Sequence, residues 1–276
     1  MSQRLRHRRP TRIPGTPWGL LLVLLTVVAN AVAADWQLMR EAERSAIGPA
    51  LLYAKRVAVR PADGQEVTAH LAFFTSRAYR LTVVDLGAGT DAATPTLAEA
   101  FRSAACLAGV NGGYFHANGQ PLGLVIAQGR RINRFETAKL LSGVVYSDDR
   151  GLHLVRRSRF QDHPGITALL QTGPYLVEDG RTVRGLSTSA ADRRTFIATD
   201  WRGHWVLGAT LNRVTLADLA ESLASPESLT PWRVDRAINL DGGSSSGFFF
   251  ERGEDQAPVT LTPWKRVRNL LGIVSR

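Results

Sequence analysis

Cysteine is almost missing from this 276-residue chain, in which Cys106 stands alone. A single cysteine excludes an intrachain disulfide and any CxxC zinc or redox site. It lies in the apolar run "AACLAGV", which reads as core and not as a nucleophile. Histidines are few and scattered: beyond His7 they are His70, His116, His153, His163 and His204, with no HExxH pair. No calcium-loop spacing occurs either. No cofactor is called for on these grounds, and a divalent metal is left open. A G-x-x-x-x-G-K-[ST] loop is also missing, so nothing cradles a nucleotide's phosphates. No low-complexity linker divides the residues after 33, which read as one domain.

Only one long apolar run is present, "GLLLVLLTVVANAVA" from Gly19 to Ala33. Arg4, Arg6, Arg8, Arg9 and Arg12 precede it without an acid, and it ends in Ala31–Val32–Ala33. A basic start, a short apolar stretch and an Ala-x-Ala ending describe a secretory signal peptide over 1–33. The run is short for a membrane span, which needs roughly 20 apolar residues; an uncleaved anchor remains the alternative. The Arg8–Arg9 pair lacks the usual surroundings of a twin-arginine signal. These five arginines are half of the net charge of +10. The remainder is mild and unclustered, which argues against nucleic-acid binding and suits an anionic substrate. A nearly cysteine-free exported chain points to a bacterial periplasmic or secreted protein, with no membrane association once the signal is cleaved.

Strand-like segments dominate the rest of the chain: 54–60, 68–74, 79–86, 106–110, 122–127, 141–147, 152–157 and 174–179. Segments 194–200 and 204–211 read as a hairpin joined by "WRG", and "INL" and 268–274 supply closing strands. Helices are expected over 94–104, with Thr94 and Thr96 near its start, and over 216–224. The second has Thr215 and Asp218 in capping-box spacing and is closed by Pro226. The pattern predicts an α+β or mixed α/β fold: a strand-rich single domain with mixed sheets and two or more packed helices. Without a helix after every strand, a doubly wound nucleotide fold is disfavoured. A lead-in segment at 34–64 precedes the domain at 65–276. Two echoes, "GLVIAQGRR" with "PYLVEDGRT" and "NGGYF" with "DGGSSS", suggest a possible internal duplication.

Four polar motifs stand at strand ends. "NGGYF" offers Asn111, Gly112 and Gly113, and "QTGPYL" offers Thr172 and Gly173. "DRRTF" supplies Arg193 and Arg194. "NLDGGSSS" supplies Asn239, Asp241, Gly242, Gly243, Ser245 and Ser246. Singly, glycine pairs are mostly turns and arginines mostly solvated. Together, glycines that let backbone donors approach an anion, forked arginines and a fixed acid suggest a phosphate-bearing polar ligand. "GSSSG" also fits the letters of a nucleophile elbow around Ser245. Phenylalanines come after it, however, where the elbow needs a helix.

The ordered series NGGYF, "PLGLVIAQGR", "LQTGPYLVEDG", "RRTFIATD", "TLADLAESLAS", "AINLDGGSSS" and "RNLLGIV" resembles the phosphodiester glycosidase family over residues 65 to 275. The resemblance implies a strand-rich fold and hydrolysis of a sugar joined through its anomeric carbon to a phosphodiester. It places Asn111, Gly112, Gly113, Thr172, Gly173, Arg194, Asp241, Gly242, Gly243, Ser245 and Ser246 at the site. Two positions depart from the family pattern. Ser244 stands where a third glycine is usual, and His116 where an acid is frequent.

The expected enzyme is thus an exported hydrolase cutting the glycosidic C–O bond of a sugar-1-phosphodiester in envelope or extracellular polysaccharide. Asp241 would meet an oxocarbenium-like charge, Arg194 would take the phosphate's charge, and Asn111 would hold sugar hydroxyls or the phosphate. A phosphodiesterase cutting P–O and a non-catalytic glycan-binding protein in exopolysaccharide assembly are the rivals.

Overall fold

The computed structural model describes residues 36–87, 95–253 and 256–276; the expected signal peptide lies outside them. The described chain opens with β1 (Gln37–Ala46), β2 (Leu51–Arg60), β3 (Gln65–Thr75) and β4 (Tyr79–Asp85), then helix α1 (Leu97–Ser103). Next come β5 (Ala108–Asn111), β6 (Val125–Ala127), β7 (Arg130–Asn133), β8 (Gly143–Ser147) and β9 (Leu152–Arg156). β10 (Ala168–Thr172), β11 (Tyr175–Glu178), β12 (Arg181–Thr182), β13 (Thr195–Thr199) and β14 (His204–Thr210) precede helix α2 (Leu216–Ala224). The last strands are β15 (Arg236–Asn239), β16 (Phe248–Phe250), β17 (Val259–Leu261) and β18 (Asn269–Ser275).

The strands form three sheets, ordered β1-β2-β3-β14-β13-β15-β11-β12, β7-β6-β10-β8-β9 and β17-β16-β5-β18-β4. Strand richness and two helices agree with the sequence, but the α+β and mixed-sheet expectation needs correcting. Every strand ladder among the described residues is antiparallel, and the fold is mostly β. Antiparallel neighbours need no crossover helix, so two helices suffice for eighteen strands.

Several strands are buried along their whole length, as in β13, where all five residues are buried. Such runs usually mark parallel strands covered on both faces. Here the eight-stranded sheet is also covered twice. Phe196 and Ala198 face α2 with Leu219 and Leu223. Ile197 faces a central core shared with both five-stranded sheets, alongside Val110, Leu170 and Leu271. The phenylalanines after the serines divide in the same way. Phe248 and Phe250 enter the central core, and Phe249 stacks on Phe101 of α1 at 5.3 Å between ring centres.

Both helices start at the expected threonines: Thr96 and Thr215 accept the N–H groups of Glu99 and Asp218. Thr94 lies outside the described residues. Strands β1, β7, β10, β12 and β17 had no sequence expectation. In β1, "QLMREAERSA" carries helix-forming residues yet pairs with β2 as an exposed edge, a case of tertiary pairing overriding local preference. The segment 34–64 therefore contributes β1 and β2 to the largest sheet.

The "QGRR" and "DGRT" echo has a local cause. Gln128–Gly129 and Asp179–Gly180 both have positive φ in the two-residue turns of hairpins β6–β7 and β11–β12. That is the chemistry of a type I′ turn, which accounts locally for the similar letters. The two hairpins lie in different sheets.

Candidate active site

The four polar motifs, far apart in sequence, meet where β5, β10, β13 and β15 end. Asn111, the last residue of β5, is fully buried and ties three of them together. Its Oδ1 accepts from Thr195 Oγ1 at 2.8 Å and from Gly247 N at 3.0 Å. Its Nδ2 donates to the Asp241 carbonyl at 2.7 Å. The Asp241 N–H donates to the Gly112 carbonyl at 3.1 Å. From β10, Thr172 Oγ1 donates to the Asn239 carbonyl at 3.0 Å.

Asp241 lies just beyond β15 and its carboxylate accepts from the Gly242 N–H at 3.0 Å. Burial pushes its carboxyl above the ordinary range. The Ser245 hydroxyl, Lys265 and that N–H pull the other way. A buried acid with few compensating partners is a frequent mark of a functional carboxyl.

Arg194 precedes β13. Its Nε donates to the Val214 carbonyl at 3.0 Å, and one terminal nitrogen donates to the Ala190 carbonyl. Its remaining terminal nitrogen has no partner among the described residues. Burial lowers its pKa, while Asp192 and Tyr114 favour its charge. Arg193 is 4 % exposed; Nε and one terminal nitrogen lack partners, and its guanidinium lies 3.9 Å over the Trp264 ring.

Two expectations change. Asn111 has both acceptor positions and one donor taken by the protein, so it positions the Asp241 loop and keeps a single side-chain N–H for any ligand. The N–H groups of Gly112, Gly113 and Gly243 are likewise occupied. Gly112 and Gly113 donate to the main-chain and side-chain oxygens of Asn269 at 2.9 and 2.8 Å. Gly243 donates to the Arg193 carbonyl at 2.7 Å. The glycines serve protein-to-protein approach: a Cβ on Gly112 would stand 2.0 Å from Asn269 Oδ1.

What remains uncommitted is a different set of atoms. The buried Ser245 hydroxyl is near the Asp241 carboxylate but outside ordinary hydrogen-bond geometry, and the Ser246 hydroxyl, Asn239 Oδ1 and Asn269 Nδ2 have no partner among the described residues. Ser245 sits in a single 3-10 turn, Gly243–Ser245, with strand β16 after it. The helix that an elbow requires is therefore not there.

Four participants carried no expectation from sequence. Tyr114 donates to the Gly173 carbonyl at 2.7 Å and accepts from Asn239 Nδ2 at 2.8 Å. Burial and the nearby Asp241 charge raise its pKa. Tyr114 belongs to the NGGYF motif, and an aromatic hydroxyl directly after the two glycines is the signal that could have found it. Lys265, whose ammonium is 5.2 Å from the Phe115 ring centre, and Trp264, 72 % exposed, belong to no motif. The Trp264 N–H donates to the Ser244 carbonyl at 2.8 Å, which brings this segment against the serine loop. Asn269 completes the set.

A family model described as phosphodiester glycosidase matches residues 104–274, which include all four motifs and Lys265. The chain belongs to the phosphodiester glycosidase family. Among solved structures, this member of the family is similar to the zebrafish N-acetylglucosamine-1-phosphodiester alpha-N-acetylglucosaminidase catalytic domain auto-inhibited by its pro-peptide. The TM-score is 0.61 at 18% identity, over 88% of this chain and 89% of that one. A hypothetical protein from Synechocystis is similar at a TM-score of 0.55 and 17% identity, over 82% of this chain and 62% of that one. These two likenesses establish a shared fold. Among curated proteins none matches the sequence. Among the described residues no helix is long and apolar enough to cross a membrane, and no group of three or more potential ligands could hold a metal.

Proposed function

We propose that this phosphodiester glycosidase is an exported hydrolase that cuts the glycosidic C–O bond of a sugar-1-phosphodiester in envelope or extracellular polysaccharide. The observation carrying the proposal is that Asp241, its carboxyl raised by burial, has Lys265 near it and shares Tyr114 as a neighbour with Arg194. A fixed carboxylate helps most where positive charge develops, which is at an anomeric carbon and not at phosphorus. Asp241 faces the oxocarbenium-like centre; water adds at that carbon as the bond to the phosphate oxygen breaks, and the water's second proton passes to the phosphate or to solvent. The leaving phosphomonoester is already an anion, so Arg194 and Lys265 stabilise it without a strong general acid. Arg193, Asn239, Ser245 and Ser246 bring the unpaired donors and acceptors of the substrate site. Asn111, Thr172 and the glycines hold the loop.

Export rests on the arginine-rich start and Ala31–Val32–Ala33, with the mature chain beginning after Ala33. N-acetylglucosamine-1-phosphodiesters are the first substrates to assay. Hydrolysis in oxygen-18 water should place the label in the released sugar and leave the phosphomonoester unlabelled. Label in the phosphate would establish the phosphodiesterase reading. Binding of glycosyl phosphates without turnover would establish the glycan-binding one.

A further inference from the structure

A second recess lies at the opposite ends of the strands that build the active site. Arg194 and Asp200 flank the two ends of β13, Gly173 and Asp179 lie on either side of β11, and β15 runs from Arg236, next to Asp235, to Asn239. A five-residue strand spans about 17 Å, so the two ends are separate places on the molecule. At the far end a cavity of about 460 Å³ is lined by Asp179, Trp201, Arg202, Trp232, Arg233 and Asp235, among others. That volume falls within the usual range for small-ligand sites. Nothing in the proposed hydrolysis uses it.

Its two tryptophans are held in place from behind. Trp201, 46 % exposed, has the Arg236 guanidinium 3.7 Å from its ring centre. Its N–H donates to Thr199 Oγ1 at 3.1 Å, which fixes the tip of the β13–β14 hairpin. Trp232 meets the edge of Phe73 and stacks on His204, each at 6.4 Å between ring centres. Around them, the side chains of Asp179, Arg202 and Arg233 make no hydrogen bond among the described residues. Asp235 is engaged through one oxygen only, with Arg236 at 3.3 Å.

The geometry points to a carbohydrate-binding site for a neutral glycan. A pyranose presents an apolar C–H face, which suits an exposed indole, and a rim of hydroxyls that both donate and accept. The Asp179 carboxylate, the second oxygen of Asp235 and the guanidiniums of Arg202 and Arg233 supply acceptors and donors for such a rim. Their charges offset one another, so neither an anion nor a cation is favoured. A quaternary ammonium would find the aromatic rings, but Arg202 and Arg233 in the lining offset the attraction of the carboxylates. This site would hold a polysaccharide chain beside the enzyme, and it stands independently of which bond the active site cuts.

Isothermal titration calorimetry on the full mature chain tests this, with cellotetraose, maltotetraose and chitotetraose as probes and choline and inorganic phosphate as contrasting chemistries. Wild-type protein and Asp241→Asn should bind at least one of these oligosaccharides equally, with a dissociation constant on the order of 1 mM or tighter. Trp201→Ala should weaken that binding at least tenfold, and Trp201→Tyr should restore part of it. Turnover of a small soluble glycosyl phosphodiester is the separate readout for the active site and should be unchanged in Trp201→Ala. Because the calorimetry does not require turnover, failure of the hydrolase reading leaves this result interpretable. The proposal is overturned if no oligosaccharide binds, if Trp201→Ala binds as well as wild type, if Asp241→Asn abolishes binding, or if choline alone is bound.

Discussion

Replacing Asp241 by Asn should do two things at once: stop the reaction and stabilise the fold. The side chain keeps its shape, and an Asn oxygen can still accept the Gly242 N–H that the carboxylate now accepts at 3.0 Å. Loss of the charge removes an electrostatic stabiliser of the transition state, worth about 3–5 kcal/mol, or roughly 10²- to 10⁴-fold in kcat. Stability should move in the opposite direction. Burial raises the folded-state pKa of Asp241 above its unfolded value. Such a group contributes stability below its unfolded pKa, and that contribution is lost as pH rises through the folded pKa. At neutral pH the wild-type protein therefore carries a buried charge that Asp241→Asn lacks. The variant should melt at a higher temperature at pH 7, and the difference should vanish as the pH falls below the ordinary carboxylate range. Release of reducing sugar from a sugar-1-phosphodiester and thermal melts across pH measure the two effects. A variant retaining most of its activity, or one less stable than wild type at pH 7, would refute the reasoning.

Three further outcomes are expected. Asn111→Ala removes a buried side chain that makes three hydrogen bonds and should cost about 3–5 kcal/mol in urea denaturation, with a loss below 1 kcal/mol counting against its role as the connecting residue. Arg194→Lys cannot reproduce the fork held by the Val214 and Ala190 carbonyls, so kcat should fall at least tenfold while the melting temperature changes little; unchanged turnover would remove Arg194 from the phosphate's path. Turnover should survive excess chelator and its later removal, whereas loss restored by one divalent ion would make Asp241 a metal ligand.

Local chemistry was written in the residues. The threonine caps, the two-residue turns at Gln128–Gly129 and Asp179–Gly180, and the β13–β14 hairpin arise from side chains acting on their own neighbourhood. The ordered series of polar motifs was equally clear and carried the family. Long-range pairing was not. Whether β13 sits among parallel or antiparallel neighbours depends on partners many residues away, and a strand buried on both faces looks the same in either case. Individual roles at the site were hidden for a related reason. A glycine N–H in a motif can serve a ligand or the protein, and only the arrival of Asn269 shows that Gly112 and Gly113 serve the protein. The raised carboxyl of Asp241 and the nearness of Tyr114 and Lys265 come from desolvation and convergence across three sheets. Desolvation and convergence are properties of packed space, whereas capping and turn formation are properties of adjacent residues.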